Sequence, residues 1–400
     1  MPWKETCPMD QRMEFVIQHR SGTISMAALC RLFGVSRQTG HKWVNRFSPR
    51  RGEASLEELS RRPHRSPTAT QKLLVERIVA RRKRFPTWGA RKILLLLHKQ
   101  WPKIQWPAPS TVEEILKRHG LVRARKRRLH LVPRTQPFSH CVEPNDVWCV
   151  DFKGQFRTGN GTLVYPLTVM DAASRFLLAC SALRAPEGAP TRKVFEELFR
   201  KHGMPKAIRC DNGEPFVASR APAGLSRLSA WWVKLGIRLE RIDPGEPQQN
   251  GRHERMHLTL KIETALPPKA TFDAQSHAFD RFRRIYNLVR PHEALAMRTP
   301  ASIYRPSPRS LPRTTPRPQY PFADLCRVHP GGSIRWGDHK YFISSSLVGE
   351  TIGIYVLDRR YAEVRFAHLL LGILDTQLPL QGLIRPKPPR KRKVSAMSPV

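Results

Sequence analysis

Apolar side chains recur at helical spacing near the start of the chain and predict two short helices joined by a turn. Val35, Trp43 and Phe47 are spaced to pack inward. Ser36 is a candidate N-cap for the second helix, which follows a glycine break. Basic and amide side chains would then face outward in a helix-turn-helix arrangement: Arg37, Gln38, His41 and Lys42. The alternative is an ordinary helical hairpin with a solvated face, and Gly40 inside the second helix argues for it.

Helical spacing returns between residues 68 and 120 and predicts a second DNA-binding unit, of three-helix or winged type. Ser110 followed by Glu113 has the spacing of a helix-start capping box, and Gly120 is a stop signal. The basic run after this unit, residues 123–134, is either an arm along a phosphate backbone or a solvated connector. Its candidate DNA contacts are Arg125, Arg127 and Arg128.

Strand-like and helix-like segments alternate between residues 145 and 265. Three strands in succession and then helix, strand, helix, strand, helix indicate a mixed sheet flanked by helices. The predicted strands are 147–153, 162–171, 175–183, 206–211 and 237–243. A closing helix is predicted over 273–289.

The remainder of the chain changes character again. Seven prolines within residues 299–321 predict a stiff linker. Beyond it, apolar and polar residues alternate with period two, which predicts a small β-barrel-like domain. The basic, proline-rich end of the chain predicts a disordered tail. The predicted divisions are 8–50 and 64–134 for the helical units, 143–300 for the α/β core, 301–322 for the linker, 323–376 for the β domain and 377–400 for the tail.

The charge of the chain indicates what kind of partner it binds. The chain has a net charge of +38, and residues 1–140 hold 30 basic against 9 acidic side chains, a net +21. A chain this basic gains binding free energy by releasing counterions from nucleic acid, so DNA is favoured over anionic lipid.

The cysteines and the apolar runs argue against three further classes of protein: disulfide-rich, cysteine-zinc and membrane-spanning proteins. The seven cysteines are scattered without a Cys-x-x-Cys pair, which argues against a disulfide framework and a cysteine-rich zinc site. No apolar run is long enough to span a bilayer, so no membrane partner and a cytoplasmic location are expected.

Three carboxylates stand in distinctive local settings. Asp151 closes the run VWCVDFKG, Asp211 follows the strand-like AIRC, and Glu254 lies in the first turn of a predicted helix. Two strands and a helix each delivering one acid can build a divalent-metal site for phosphodiester chemistry. Each acid also has a structural explanation: a turn at Asp151, an Asp-Asn-Gly turn at Asp211, and the helix dipole at Glu254.

Four ordered motifs in residues 145–300 resemble the integrase core of bacterial insertion-sequence transposases, the DDE superfamily that includes retroviral integrases. The motifs are WCVDFKG, DNGEPF, RIDPGEPQQNGRHERMH and YNLVRPHEAL. The detail is similar to the insertion-sequence-481 type. The resemblance implies a ribonuclease H-like fold for the core and covers most of the chain.

The resemblance implies roles for individual residues. Asp151, Asp211 and Glu254 become the catalytic metal ligands, and two Mg²⁺ or Mn²⁺ ions are the expected cofactors. Asn212 would orient the Asp211 loop, Gly213 would let the backbone approach substrate, and Lys261 would contact a DNA end. Glu214 departs from the common pattern and adds a negative charge beside the site.

The function implied is that of a transposase. It would bind the terminal inverted repeats of its own element, cleave there, and join the freed end to target DNA, as a dimer or larger assembly. One alternative is a catalytically degenerate copy acting as a DNA-binding regulator. A second is a plain nuclease of RNA–DNA hybrids, which would need neither the helical units nor the β domain.

Overall fold

The computed structural model describes residues 7–60, 69–122, 140–242 and 251–385, within two compact units, Met1–Thr70 and Gln71–Val400. Within those ranges, no helix is long and apolar enough to cross a membrane. The first unit has three helices, α1 (Pro8–Arg20), α2 (Met26–Leu32) and α3 (Arg37–Arg46). The Ser36 side chain accepts a hydrogen bond from the Thr39 amide at 3.1 Å, so the predicted N-cap of α3 is confirmed.

Gly40 lies where α3 meets the other two helices of the first unit. A Cβ at this position would stand 2.8 Å from Cys30 Sγ, 2.9 Å from Phe15 Cζ and 3.0 Å from Met26 Sδ. The glycine that argued against a helix-turn-helix therefore allows the three helices to pack closely, a use that outweighs its poor helix propensity.

Gly40→Val is expected to destabilise the first unit by about 2 kcal/mol or more, because three packed side chains must move to admit the new methyl groups. Thermal denaturation followed by circular dichroism measures the loss. Asn45→Val places the same side chain at an exposed position of α3 and should change stability little. Equal stabilities of the two variants would contradict the close-packing explanation.

The second unit begins with three helices, α4 (Lys72–Arg84), α5 (Ala90–Gln100) and α6 (Pro109–Arg118). Ile78, Trp88 and Leu97 are fully buried in their shared core. The capping box predicted from Ser110 and Glu113 is wrong, because α6 begins at Pro109, its N-cap position is Ala108, and it has no side-chain cap. Proline's fixed φ suits the first helical position.

A six-stranded mixed sheet forms the centre of the second unit. Its strands are β1 (Val147–Phe152), β2 (Phe156–Arg157), β3 (Leu163–Asp171), β4 (Leu177–Leu183), β5 (Ala207–Cys210) and β6 (Arg238–Arg241). The order is β2-β3-β1-β5-β6 with β4 paired to β3, and β5 runs parallel to both β1 and β6, while β3 is antiparallel to its partners β1, β2 and β4. All five predicted segments are strands, with ends shifted by no more than two residues.

Helices cover both faces of this sheet. They are α7 (Gly188–His202), α8 (Arg227–Lys234), α9 (Gly251–Leu260) and α10 (Phe272–Leu288). One face packs on α7 and α8 through a core that includes Trp148, Phe195 and Trp232. The other packs on α9 and α10 through Met170, Met256 and Phe279. Alternation along β1 directs Trp148 and Val150 to the α7–α8 core.

The segment after α10 joins the α4–α6 helices to the core. Arg290 Nη1 lies 3.2 Å from Glu263 Oε1 and 3.1 Å from Thr87 Oγ1, and its guanidinium stands over the Trp88 ring. Arg290 therefore has a packing role at this junction.

Residues 304–309, here called the strap, lie within the predicted linker but pack on the core. Tyr304 is buried in the α7–α8 core, Ser307 N donates to His202 O at 2.8 Å, and Arg309 Nη1 donates to Pro205 O at 2.6 Å. Proline content indicates a stiff segment but does not reveal whether that segment lies against a core.

The last described part is β-structured. Its strands are β7 (Asp324–Arg327), β8 (Ser333–Trp336), β9 (His339–Phe342), β10 (Thr351–Val356), β11 (Tyr361–Phe366), β12 (Leu369–Asp375) and β13 (Leu383–Ile384). The sheet order β13-β12-β11-β10-β7 is open, with β8-β9 as a separate hairpin, so a barrel stays a prediction. β13 lies in the predicted tail, whose residues 386–400 fall outside the described ranges.

Candidate active site

Asp151 lies near the end of β1 on the face covered by α9. Trp148 and Val150 point to the α7–α8 core, so period-two alternation turns Asp151 the other way. It pairs across the sheet with Thr168 of β3, and its side chain is 22% exposed. A partly buried carboxylate in this position can hold a ligand where the carboxyl ends of β1 and β5 meet.

Asp211 follows β5 directly, in the loop next to Asp151. Because Trp148 pairs with Ile208 and Cys149 with Arg209 in a parallel register, the same offset brings Asp151 beside Asp211. Gly213 N donates to Asp211 Oδ1 at 3.2 Å, and a Cβ on Gly213 would lie 3.0 Å from Asp211 Oδ2. The glycine thus leaves room for the carboxylate.

Asn212 and Glu214 occupy the same loop. Asn212 Nδ2 donates to Ile242 O at 2.9 Å, which ties the loop to the end of β6. The orienting role expected of Asn212 stays a prediction. Glu214, two residues further along, is exposed.

Glu254 is exposed in the first turn of α9. Residues 243–250, which precede α9 and include Asp243 and Glu246, lie outside the described residues. Asp171, another carboxylate of the core, is fully buried at the end of β3 and accepts hydrogen bonds from the Asn145 backbone amide and the Ser174 hydroxyl. Those contacts give it a structural role in the turn after β3.

The three acids influence one another electrostatically. Burial, together with the negative charges of Asp211 and Glu254, raises the pKa of Asp151 to about 7. A divalent cation would relieve this repulsion, and an all-oxygen donor set fits Mg²⁺ or Mn²⁺. Within the described ranges, however, no three His, Cys, Asp or Glu side chains converge closely enough to hold a metal ion.

A buried histidine pair on α9 was missed by the sequence reasoning. Both His253 Nε2 and His257 Nε2 approach Thr168 Oγ1, at 2.6 and 2.7 Å, and His257 Nδ1 lies 3.7 Å from Asp151 Oδ2. Burial lowers the pKa of His253 to about 3 and that of His257 to about 2, so both imidazoles are neutral at physiological pH.

The signal for this pair was present as the sequence H-E-R-M-H, which has the spacing of a helical zinc motif. Here the imidazole nitrogens that would bind zinc converge on the Thr168 hydroxyl instead. Histidines four residues apart do identify one helix face, but the threonine opposite them depends on strand register.

The candidate DNA-contacting residues that the structure describes are all exposed. Four of them lie on α3: Arg37, Gln38, His41 and Lys42. Lys261 is exposed at the start of a π-helical turn that continues α9. The three arginines of the basic arm, Arg125, Arg127 and Arg128, lie outside the described residues. These assignments stay predictions.

The mixed sheet has helices on both faces and carries Asp151 near the end of β1, with Asp211 directly after β5 and Glu254 on α9. Integrase core domain families match residues 142–247 and 235–300, and a homeodomain-like domain family matches residues 39–116. Residues 142–300 are therefore similar to integrase core domains. These matches do not distinguish the insertion-sequence-481 type from others.

Among curated proteins, similarity extends to two bacterial insertion elements. An uncharacterized 39.2 kDa protein of insertion element IS476 from Xanthomonas euvesicatoria is 28% identical over 59% of this chain and 66% of its own length. An uncharacterized 31.7 kDa protein of IS407 from Burkholderia multivorans is 26% identical over 70% of this chain and 90% of its own. The chain thus covers just under two thirds of the first relative.

Solved structures with similarity include the magnesium complex of the HTLV-2 integrase catalytic core domain. It is 17% identical, with a TM-score of 0.32, over 41% of this chain and 98% of that one. A simian T-cell lymphotropic virus intasome chain is 16% identical, with a TM-score of 0.37, over 78% of this chain and 99% of that one.

Proposed function

We propose that this chain is a transposase that binds the terminal inverted repeats of its own insertion element, cleaves the DNA there and joins the end to target DNA. The observation that carries the proposal is the parallel register of β1 and β5, which brings Asp151 beside Asp211 in a segment similar to an integrase core, with Glu254 on α9. The reaction has two phosphodiester transfers, first to water and then to the freed 3′-hydroxyl.

Asp151, Asp211 and Glu254 are the proposed ligands of Mg²⁺ or Mn²⁺, two ions in the family pattern, which would supply Lewis-acid stabilisation of the phosphate oxygens. The chain's own part is to hold these carboxylates. Gly213 fixes one Asp211 oxygen through its amide, and Asn212 anchors the loop to β6. Because water and the DNA hydroxyl serve as nucleophiles, no side chain need form a covalent intermediate.

Binding of the element ends is assigned to the exposed face of α3, with the basic arm and Lys261 as further contacts. The net charge of +38 supports a large electrostatic share in affinity, which should fall steeply as salt rises. Joining two ends requires at least two copies of the chain, so a dimer or larger assembly is proposed on DNA. The bacterial cytoplasm is its proposed location.

Purified protein with Mg²⁺, labelled element-end DNA and a supercoiled target plasmid tests the proposal. Joined products that disappear with EDTA and with scrambled ends would establish a metal-dependent transposase. Specific end binding without nicking in Mg²⁺ or Mn²⁺ would overturn the catalytic part and leave a DNA-binding regulator. Cleavage of RNA–DNA hybrids without joining would identify a nuclease instead.

A further inference from the structure

The Thr168 hydroxyl connects the strand that carries Asp151 to the helix that carries Glu254. Thr168 Oγ1 lies 3.0 Å from Asp151 O, 2.6 Å from His253 Nε2 and 2.7 Å from His257 Nε2. Thr168 and His253 are fully buried, and His257 is 5% exposed. Water is therefore excluded from the junction, and its polar groups depend on one another.

The available protons allow one arrangement of the three hydrogen bonds around Thr168 Oγ1. A threonine hydroxyl has one proton to donate and two lone pairs. The Asp151 carbonyl oxygen can only accept, so the Thr168 proton goes there. Each histidine must then donate its Nε2–H to the Thr168 oxygen, which uses both lone pairs.

The other imidazole nitrogens agree with this assignment. In the Nε2–H tautomer, each Nδ1 carries no proton. Among the described residues, His253 Nδ1 is buried without a hydrogen-bond partner. A buried nitrogen that carries no proton is less costly to leave unpaired than a buried N–H group. His257 Nδ1 stands 3.7 Å from Asp151 Oδ2, beyond hydrogen-bond distance.

We propose that Thr168 is a positioning residue that sets the separation between the first and third carboxylates of the active site. Its bond to the Asp151 carbonyl holds the end of β1, and its bond to His253 holds the residue next to Glu254. The bond to His257 fixes the next turn of α9. The inference rests on the proposed function for its catalytic consequence, but the mechanical link is a property of the fold.

Thr168→Val keeps the shape of the side chain and removes the hydroxyl, and Thr168→Ser keeps the hydroxyl. In the full-length Val variant, hydrogen exchange of the α9 amides should accelerate by about tenfold or more, since three buried polar groups lose their partner. Calorimetric titration with Mn²⁺ alone should show affinity reduced by about tenfold or more, because the carboxylates lose their spacing.

The Ser variant should restore both measurements to within about threefold of the wild type. The matched control is Thr191→Val, since Thr191 is equally buried but its hydroxyl bonds to Glu187 O at the start of α7. The control should leave α9 exchange and Mn²⁺ affinity unchanged. In end-cleavage assays, Thr168→Val should lower kcat while affinity for end DNA stays constant.

Wild-type exchange and Mn²⁺ affinity in Thr168→Val would overturn the inference, as would equal losses in Thr168→Ser. If the wild type binds no Mn²⁺, the metal assignment of the proposed function fails, and α9 exchange alone decides whether Thr168 links the two elements. If Thr168→Val does not fold, His257→Gln, which keeps an N–H donor, compared with His257→Leu decides it by the same measurements.

Discussion

Asp211→Asn should abolish strand cleavage and joining, by about 10³-fold or more, while end binding is retained. The substitution removes one negative charge from the group that raises the pKa of Asp151. An asparagine carbonyl can still accept the Gly213 amide, so the loop keeps its anchor while a carboxylate ligand is lost. Gel assays of cleavage and fluorescence anisotropy of end binding measure the two activities separately.

Glu214→Gln is the matched control for Asp211→Asn. It removes a negative charge from the same loop, but Glu214 is exposed and has no proposed ligand role. Cleavage should be retained, or rise because phosphate is repelled less. Residual cleavage by Asp211→Asn near the wild-type rate would refute the ligand assignment. Equal losses of cleavage in both variants would show that cleavage depends on the total negative charge of the loop and not on a metal ligand at Asp211.

Much of the fold could be predicted from local patterns. Ser36 sits at the start of α3 because its hydroxyl can accept an amide that the helix leaves unpaired. Asp151 and Asp211 follow apolar runs that only a buried strand explains, and two such runs in parallel neighbouring strands bring their ends together. Local sequence therefore placed the acids on their elements.

What the sequence did not reveal depends on tertiary register. The contact between Thr168 and the two histidines requires β3 to pair with β1 so that Thr168 stands opposite Asp151. A shift by one residue would turn Thr168 to the other face of the sheet. The strap was missed for a similar reason, because Tyr304 packs among aromatic side chains far away in sequence.

Gly203→Ala should destabilise the second unit by about 3 kcal/mol or more, from backbone strain and steric overlap together. Gly203 ends α7 with φ 71° and ψ 178°, a region that is almost restricted to glycine. An added Cβ would lie 2.3 Å from Ser307 O in the strap. The strap cannot easily withdraw, because Ser307 N bonds to His202 O and Met204 N bonds to Arg309 O at 2.7 Å.

Gly161→Ala separates the two contributions to the Gly203→Ala effect. Gly161 also has a positive φ, +82°, but a Cβ there would meet no atom within 4 Å. Its alanine variant should therefore lose only the backbone contribution, about 1 kcal/mol. Chemical denaturation of both variants measures the difference. If Gly203→Ala were no less stable than Gly161→Ala, the strap would not be held against the end of α7, and residues 304–309 would be the linker that their prolines predict.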